Sequence, residues 1–507
     1  MALERSAAGD HNPWLIAVIV SMATFMEVLD TSIANVSLDH IAGSLAASFD
    51  ESTWVLTSYL VSNAIILPIS GWLSRVVGRK RFYMICVGLF GASSLLCGLA
   101  PSLGWLVVFR ILQGFGGGGL APSEQSILAD SFPPERRGQA FALYGVAVVV
   151  APTLGPTLGG IITDNLSWRW IFLINIPVCL LSLVLSGMML SDPPAVRKDR
   201  EEALKGGLRI DLLGFILVAV GLGCLQVVLD KGTEDDWFAS DFILTFTIVS
   251  IISLAALVYW ELTTDEPIVD IPLMRSRSFS ASMGVMFVTG FILISTTQML
   301  PQFLQSIMGY TATKAGLALT LGGLATLVTM PMAGALLHRV QPKHLIIFGL
   351  SVEVLAFLYL KTFNTQVSFG YASLGRVIQG IGLPFLFVPI TTVSYAGLPP
   401  DKSNNASALV NTMRNLGGSF GISVAVGVLA DRTQFHHARL AERATLFTRH
   451  PAAGAAMALF AQQVDRQAQM WSYIDVFVLL AIMAAVAIPL TFVLQNVKPG
   501  GGEHAAA

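Results

Sequence analysis

Long apolar runs recur along the whole chain, parted by short polar segments. About 20 mostly apolar residues in a helix reach across the roughly 30 Å hydrocarbon core of a bilayer. Fourteen runs meet that length, at 14–36, 53–74, 82–100, 104–128, 139–162, 169–190, 210–229, 241–260, 280–305, 314–337, 344–362, 371–396, 405–429 and 471–494. Run length predicts helices, because strands of a membrane barrel alternate over only about 10 residues. The first run follows a polar start and is too long for a signal-peptide core, so it reads as an uncleaved first span. The pattern also repeats. "FRILQGFGGGG" at Phe109 returns as "GRVIQGIGLPF" at Gly375, which sets Arg110 against Arg376, Gln113 against Gln379, Gly114 against Gly380 and Gly116 against Gly382, an offset of 266 residues. "GWLSRVVGRK" at Gly71 returns more faintly as "GALLHRVQPK" at Gly334, at an offset of 263. Two motifs at nearly one offset predict a duplication. The surplus between the copies is the size of two helices. The expected plan is a tail at 1–13, a six-helix bundle at 14–190, a linker with two extra spans at 191–279, a second six-helix bundle at 280–494 with a long outer loop at 430–470, and a tail at 495–507.

Composition agrees with a membrane class. Of 507 residues 54% are apolar and only 12% are Asp, Glu, Lys or Arg, against about 25% charged in soluble domains. A formal charge of -2 argues against nucleic acid as a partner. Cys86, Cys97, Cys179 and Cys224 lie inside apolar runs at spacings that suit neither a metal nor a disulfide framework. Basic residues follow the even-numbered spans: Arg75, Arg79, Lys80 and Arg81, then Arg136 and Arg137, then Arg197, Lys198, Arg200, Lys205 and Arg209, then Arg275 and Arg277, then Arg339 and Lys343. Loops rich in base face the cytoplasm, so both termini are expected there. Residues 430–470, with five arginines on the outer side, dissent and are outvoted.

Charge inside a span marks function or a fixed partner. Arg110 lies about two turns into the fourth span from its outer end. Glu27 and Asp30 lie about 20–24 Å along the first, at matching depth, and share a helix face. Burial favours the neutral acid and a neighbouring arginine favours the ionised one, so Glu27, Asp30 and Arg110 form a candidate proton-coupling site; a static ion pair is the bland alternative. Glu124 is a gate candidate or a snorkelling side chain, and Arg376 reads as structural. Phe25, Met26, Trp54 and Tyr59 are candidate substrate contacts, being apolar or aromatic, with Glu353, Arg414 and Asp475 as charged candidates. The letters Gly114–Gly119 fit G-x-G-x-x-G, but a nucleotide fingerprint follows a strand and opens a helix; in mid-span such glycines let helices approach closely. His436 and His437 lack the spacing of a helical metal pair. No Walker A motif occurs, and Glu234-Asp235-Asp236 sits outside the spans, which disfavours an ATP-driven pump and a lipid-linked transferase. No cofactor is expected.

Several stretches carry a family resemblance. "LDTSIANVSL" (Leu29–Leu38), "GWLSRVVGRKR" (Gly71–Arg81), "LVVFRILQGFG" (Leu106–Gly116), "GVAVVVAPTLGPTLGG" (Gly145–Gly160) and "WRWIFLINIP" (Trp168–Pro177) resemble, in order, the motifs of the major facilitator superfamily, in its fourteen-helix drug:proton antiporter branch of the EmrB/QacA type. The resemblance implies an all-α integral membrane protein of the major facilitator fold, two six-helix bundles plus two inserted helices, in a bacterial inner membrane. It implies proton-driven efflux of amphipathic drugs, with export of an endogenous metabolite such as a siderophore or fatty acid as the alternative. It assigns Arg110 to proton coupling. It gives conformational duty to Gly71, Gly78, Arg79 and Arg81, and leak prevention to Gly145, Pro152, Gly155, Pro156, Gly159 and Gly160. It brings membrane lipid, a periplasmic adaptor and an outer-membrane channel as partners. Two positions depart from the pattern: Arg75 stands where the family usually has an aspartate, and Asp39 where it usually has a proline.

Overall fold

The computed structural model describes residues 12–192, 211–264, 267–396, 402–447 and 455–495, with Arg197 and Leu398 besides. The expected tails at 1–13 and 495–507, and the basic linker carrying Lys198, Arg200, Lys205 and Arg209, fall almost wholly outside them. Thirteen helices among the described residues are long and apolar enough to cross a membrane, and a bent helix of two pieces at 45° makes a fourteenth.

The spans are α1 (Pro13–Val36), α2 (Trp54–Val77), α3 (Arg79–Gly98), α4 in two pieces (Leu103–Gly117 and Leu120–Ser131), α5 (Pro134–Asn165), α6 in two pieces (Trp170–Leu173 and Asn175–Met189), α7 (Leu212–Lys231), α8 (Asp241–Thr263), α9 (Arg277–Ser306), α10 (Ala312–Leu336), α11 (Pro342–Leu360), α12 in two pieces (Phe369–Gly382 and Pro384–Ser394), α13 (Ser403–Phe447) and α14 (Ala455–Ala487). Local chemistry sets the starts. Asn12 accepts the Trp14 N–H at 3.0 Å ahead of Pro13, Thr311 caps α10 and Ser368 caps α12. Breaks fall where the repeat predicts a common feature: α4 breaks after Gly117 and α12 after Gly382, before Pro384.

Spans α1–α6 form one bundle and α9–α14 the other. They meet along two seams, α5 against α10 and α2 against α13. The first seam is apolar, with Ala142 and Val149 of α5 packed among Met330, Ala333 and Leu337. The inserted α7 lies against α2 and α13 at the second seam, while α8 turns Ile251 and Ile252 outward, as lipid contact requires.

Residues 430–470 are not the loop expected. α13 continues unbroken to Phe447, and α14 begins at Ala455 rather than near 471. The segment from Ala430 to Phe447 holds neither Gly nor Pro and is rich in Ala, Arg, Leu and Glu, so nothing in it halts a helix. At 1.5 Å per residue the 45-residue α13 is about 68 Å long, twice the hydrocarbon thickness. The two helices run side by side there, with Arg432 of α13 bonded to Asp475 of α14 and His437 3.4 Å from Asp465.

Candidate functional site

Five spans bring a polar cluster together inside the first bundle. Arg110 of α4 is fully buried. Its Nη1 donates to Asp30 Oδ2 at 2.5 Å and to Gln113 Oε1 at 2.7 Å, and its Nε donates to the Val55 carbonyl at 3.0 Å. Asp30 Oδ1 accepts from Gln113 Nε2 at 3.1 Å and from Asn175 Nδ2 of α6 at 2.7 Å. Ser94 of α3 ties both amides down, at 3.2 and 2.9 Å. The guanidinium stacks over the Tyr59 ring, 4.3 Å from its centroid, and faces Phe172 at 5.5 Å. A buried charge pair is tolerable only when its remaining polar valences are met, and these amides meet most of them. One guanidinium nitrogen, Nη2, has no hydrogen-bond partner.

Glu27 stands one turn from Asp30 but holds different partners. It is half-buried, and accepts from Asn63 Nδ2 at 3.1 Å and the Tyr59 hydroxyl at 3.5 Å. The strongest charge acting on it is Arg414 of α13, across the seam. The shared face read from the sequence is present, yet Arg110 belongs to Asp30 and Glu27 looks toward the other bundle. Glu124 does not snorkel: it is fully buried and accepts a hydrogen bond from Thr24 of α1.

The candidate substrate residues do not converge on one wall. Met26 is buried among Leu29, Ile33 and Cys97 with Phe25 packed beside it, Tyr59 lies beneath Arg110, and Trp54 sits at the end of α2 with the Lys231 ammonium 5.7 Å from its ring. Asp475 is held away from Arg414, bonded by Arg432 Nε at 2.5 Å and beside His436 Nε2 at 2.8 Å. Arg414 itself faces Glu27 and Tyr144 between the bundles.

The second bundle repeats the cluster with one substitution. Gln379 Nε2 donates to Thr296 Oγ1 at 3.1 Å, the distance found between Gln113 and Asp30. Thr296 lies 266 residues after Asp30, so a neutral hydroxyl occupies the acid's place. Arg376 bonds Gln379 and reaches Thr297 at 3.4 Å. The nearby acid is instead Glu353 of α11, fully buried against Gly382, with Arg376 and Gln379 as its polar neighbours.

The motif glycines fill contact roles. A Cβ at Gly155 would strike Ser32 and one at Gly159 would meet Ile33 at 3.2 Å, so α5 lies directly on α1; one at Gly145 would meet Met330 at 2.7 Å. Gly160 faces open space and has no such role. Pro156 lacks the N–H that would bond the Pro152 carbonyl, and Ser32 Oγ donates to that carbonyl at 3.1 Å. At the far end of α2, Gly78 has φ 96°, where only glycine is unstrained. Arg79 pairs with Asp130 and donates to the Ser126 carbonyl at 3.2 Å, whereas Arg81 is exposed. A Cβ at Gly71 would meet the Asn405 backbone at 3.0 Å, so this glycine lies on the seam. Beside it Gln125 Oε1 accepts from Asn411 at 2.9 Å and Ser407 at 3.1 Å, joining the bundles at the end that carries the basic loops.

Sequence reasoning missed Asn175, Asn63, Gln125 and Asn415. Asn175 and Asn63 are lone amides in apolar runs, a signal as informative in a span as a charge, whereas Gln125 follows Glu124 and Asn415 follows Arg414, where the charge masks the amide. Gln113 was visible only through the repeat.

Residues 20–422 match the Major Facilitator Superfamily, and the chain belongs to that family of membrane transporters; it is not an enzyme. It is 40% identical over 429 residues to the Multidrug export protein EmrB of Haemophilus influenzae, covering 84% of this chain and 82% of that protein. It is 35% identical over 502 residues to the Fatty acid resistance protein FarB of Neisseria gonorrhoeae, covering 96% and 97%. Among solved structures, the proton:xylose symporter XylE superposes with a TM-score of 0.61 at 16% identity, over 93% of this chain and 94% of that one, a likeness of fold.

Proposed function

We propose that the chain is a proton-coupled multidrug exporter of a bacterial inner membrane, working by alternating access and drawing its energy from the proton gradient. The observation that carries this reading is the pair of acids on one face of α1, one sealed against Arg110 and one open toward the seam. In the sealed pair, a proton on Asp30 cancels the charge that Arg110 holds, freeing a guanidinium already short of one partner. In the open position, Glu27 attracts either a proton or a cationic amphipathic drug, and the two compete for one carboxylate. Drug arriving from inside displaces the proton; the bundles rock about the α2–α13 and α5–α10 seams; drug leaves outward and a proton from outside neutralises the acid for the return. The likeness to an EmrB protein supports a multidrug cargo, and the likeness to a fatty acid resistance protein supports amphipathic anions as a second reading.

The test is drug-induced proton movement in liposomes. Glu27→Gln, Asp30→Asn and Arg110→Ala each abolish it on this reading; normal exchange in all three removes the assignment. Survival under drug challenge, set against fatty acid tolerance in the same deletion strain, separates the two cargoes. Both termini lie in the cytoplasm on the basic-loop count, which puts the projecting α13–α14 pair in the periplasm, within reach of an adaptor and an outer-membrane channel. Removing the projecting part is expected to leave liposome transport intact while cells lose resistance; if resistance survives, no adaptor docks there.

A further inference from the structure

Between the bundles one hydrogen bond sits directly behind Glu27. Asn63 Nδ2 donates to Glu27 Oε1 at 3.1 Å, and Asn63 Oδ1 accepts from Asn415 Nδ2 of α13 at 3.0 Å. We infer that Asn63 and Asn415 are positioning residues that carry the charge state of Glu27 across the seam, so that a proton on Glu27 loosens α2 from α13. The inference rests on Glu27 being a proton-exchanging acid.

The chemistry of the amide sets the direction. An ionised carboxylate only accepts, so Asn63 must show it the nitrogen, and its oxygen then points to α13, where Asn415 supplies a donor. A protonated Glu27 carries an O–H that needs an acceptor. Two acceptors are at hand, the Tyr59 hydroxyl at 3.5 Å and Asn63 Oδ1 once its amide turns half round, and only the second reaches α13. That turn presents the Asn63 nitrogen to the Asn415 nitrogen, donor against donor, and the bond across the seam is lost unless Asn415 turns as well. Asn415 borders a small pocket lined by Ala64, Leu67, Leu222, Gln226, Thr412 and Leu416. Either way the proton is felt on α13.

A second effect acts in the same sense. The polar groups facing Glu27 are Tyr59 and Asn63 of α2, Asp30 on its own helix, Cys86 of α3, Glu124 of α4, Tyr144 of α5, which also meets Arg414, and Arg414 of α13. Asp30 is already paired with Arg110, and Cys86, Glu124, Tyr59 and Tyr144 belong to the same bundle as Glu27. Only Arg414 and Asn415 lie on the other one, and they are adjacent in sequence. When Glu27 becomes neutral, Arg414 loses its attraction to α1 at the same moment that Asn415 loses its acceptor. The proton moves from solvent to Glu27 and no other covalent bond changes, so the step balances.

The experiment uses the full-length protein in detergent and in liposomes, with spin labels at the exposed positions of Arg136 in the first bundle and His344 in the second. Three readouts are taken: drug-induced proton release, transport driven by a pH gradient, and the label distance as a function of pH. For Asn415→Leu the expected result is proton release within about two-fold of wild type, transport down about ten-fold, the change one lost hydrogen bond makes in a two-state equilibrium, and a label distance that no longer follows pH. Asn415→Gln, which keeps the amide, is expected to restore the pH response. Asn415→Asp, which accepts but cannot donate, is expected to invert the pH response, bonding Asn63 only once a protonated Glu27 has turned the amide nitrogen toward α13. A wild-type transport rate and pH profile in Asn415→Leu overturns the inference, as does failure of Asn415→Gln to recover the pH response. If instead Glu27→Gln releases protons normally on adding drug, Glu27 is not the exchanging acid and the parent reading fails first.

Discussion

Arg110 shows what a single residue demands of a membrane interior. Its charge is held by one carboxylate, one side-chain amide, one carbonyl and two aromatic faces drawn from three other helices and its own. Truncating one partner of a buried pair strands the other, at a cost of about 3–5 kcal/mol. Arg110→Ala is therefore expected to lower thermal stability sharply as well as stop exchange, whereas Asp30→Asn, which keeps the shape and the Gln113 contact, stops exchange with the milder loss of stability. Melting of the two purified variants checks the order. Glu353 gives the opposite case. Its carboxyl oxygens meet no strict hydrogen-bond geometry and have only the Arg376 charge and the Gln379 amide nearby, so Glu353→Gln is expected to transport within about two-fold of wild type. A larger loss would show that Glu353 changes charge during the cycle.

Among the helices, close approach is bought with missing side chains. A Cβ at Gly114 would lie 2.5 Å from the Tyr59 carbonyl and also strike Ser62. Gly114→Val is expected to force α4 off α2, costing about 1–3 kcal/mol as over-packing does, and to displace the Arg110 guanidinium from the Tyr59 ring. A raised susceptibility to protease and a fall in exchange would register it. The sequence made the spans, their order and the duplication legible, because a bilayer forces long apolar runs and repeated charges stand out inside them. The depth match of Asp30 and Arg110 followed from helix rise alone. Other features were hidden. The helical extension of α13 carries no apolar run to betray it, only an absence of stops. The partners of Asp475, Arg432 and His436, lie on that same extension, so nothing in the apolar runs pointed to them. That Thr296 replaces Asp30 in the second bundle becomes plain only once Gln379 is seen to donate to it.

At the scale of the whole molecule, the two bundles are locked at the end carrying the basic loops by Gln125, Ser407 and Asn411, and by the contact of Gly71 with Asn405. Gln125→Leu leaves the buried Asn411 amide without its main acceptor, a penalty of about 1–3 kcal/mol borne only while this end is closed. The variant is expected to favour the state open at that end, read as faster labelling of a cysteine placed at Ser407 and as slower transport. Unchanged labelling would mean that the polar latch contributes nothing to closure. The inserted α7 joins both halves, through Thr57 with Asp230 on one side and Gln226 with Ser419 at 2.9 Å on the other, so the extra helices move with the seam they cover.

The same α13 that carries Ser407, Asn411 and Asn415 runs without a break to Phe447. From Asn415 to that tip is about 48 Å of rigid rod. A rocking of 10° about the seam sweeps the tip through about 8 Å. Whatever touches the far end of this pointer, outside the lipid, is told which way the transporter faces.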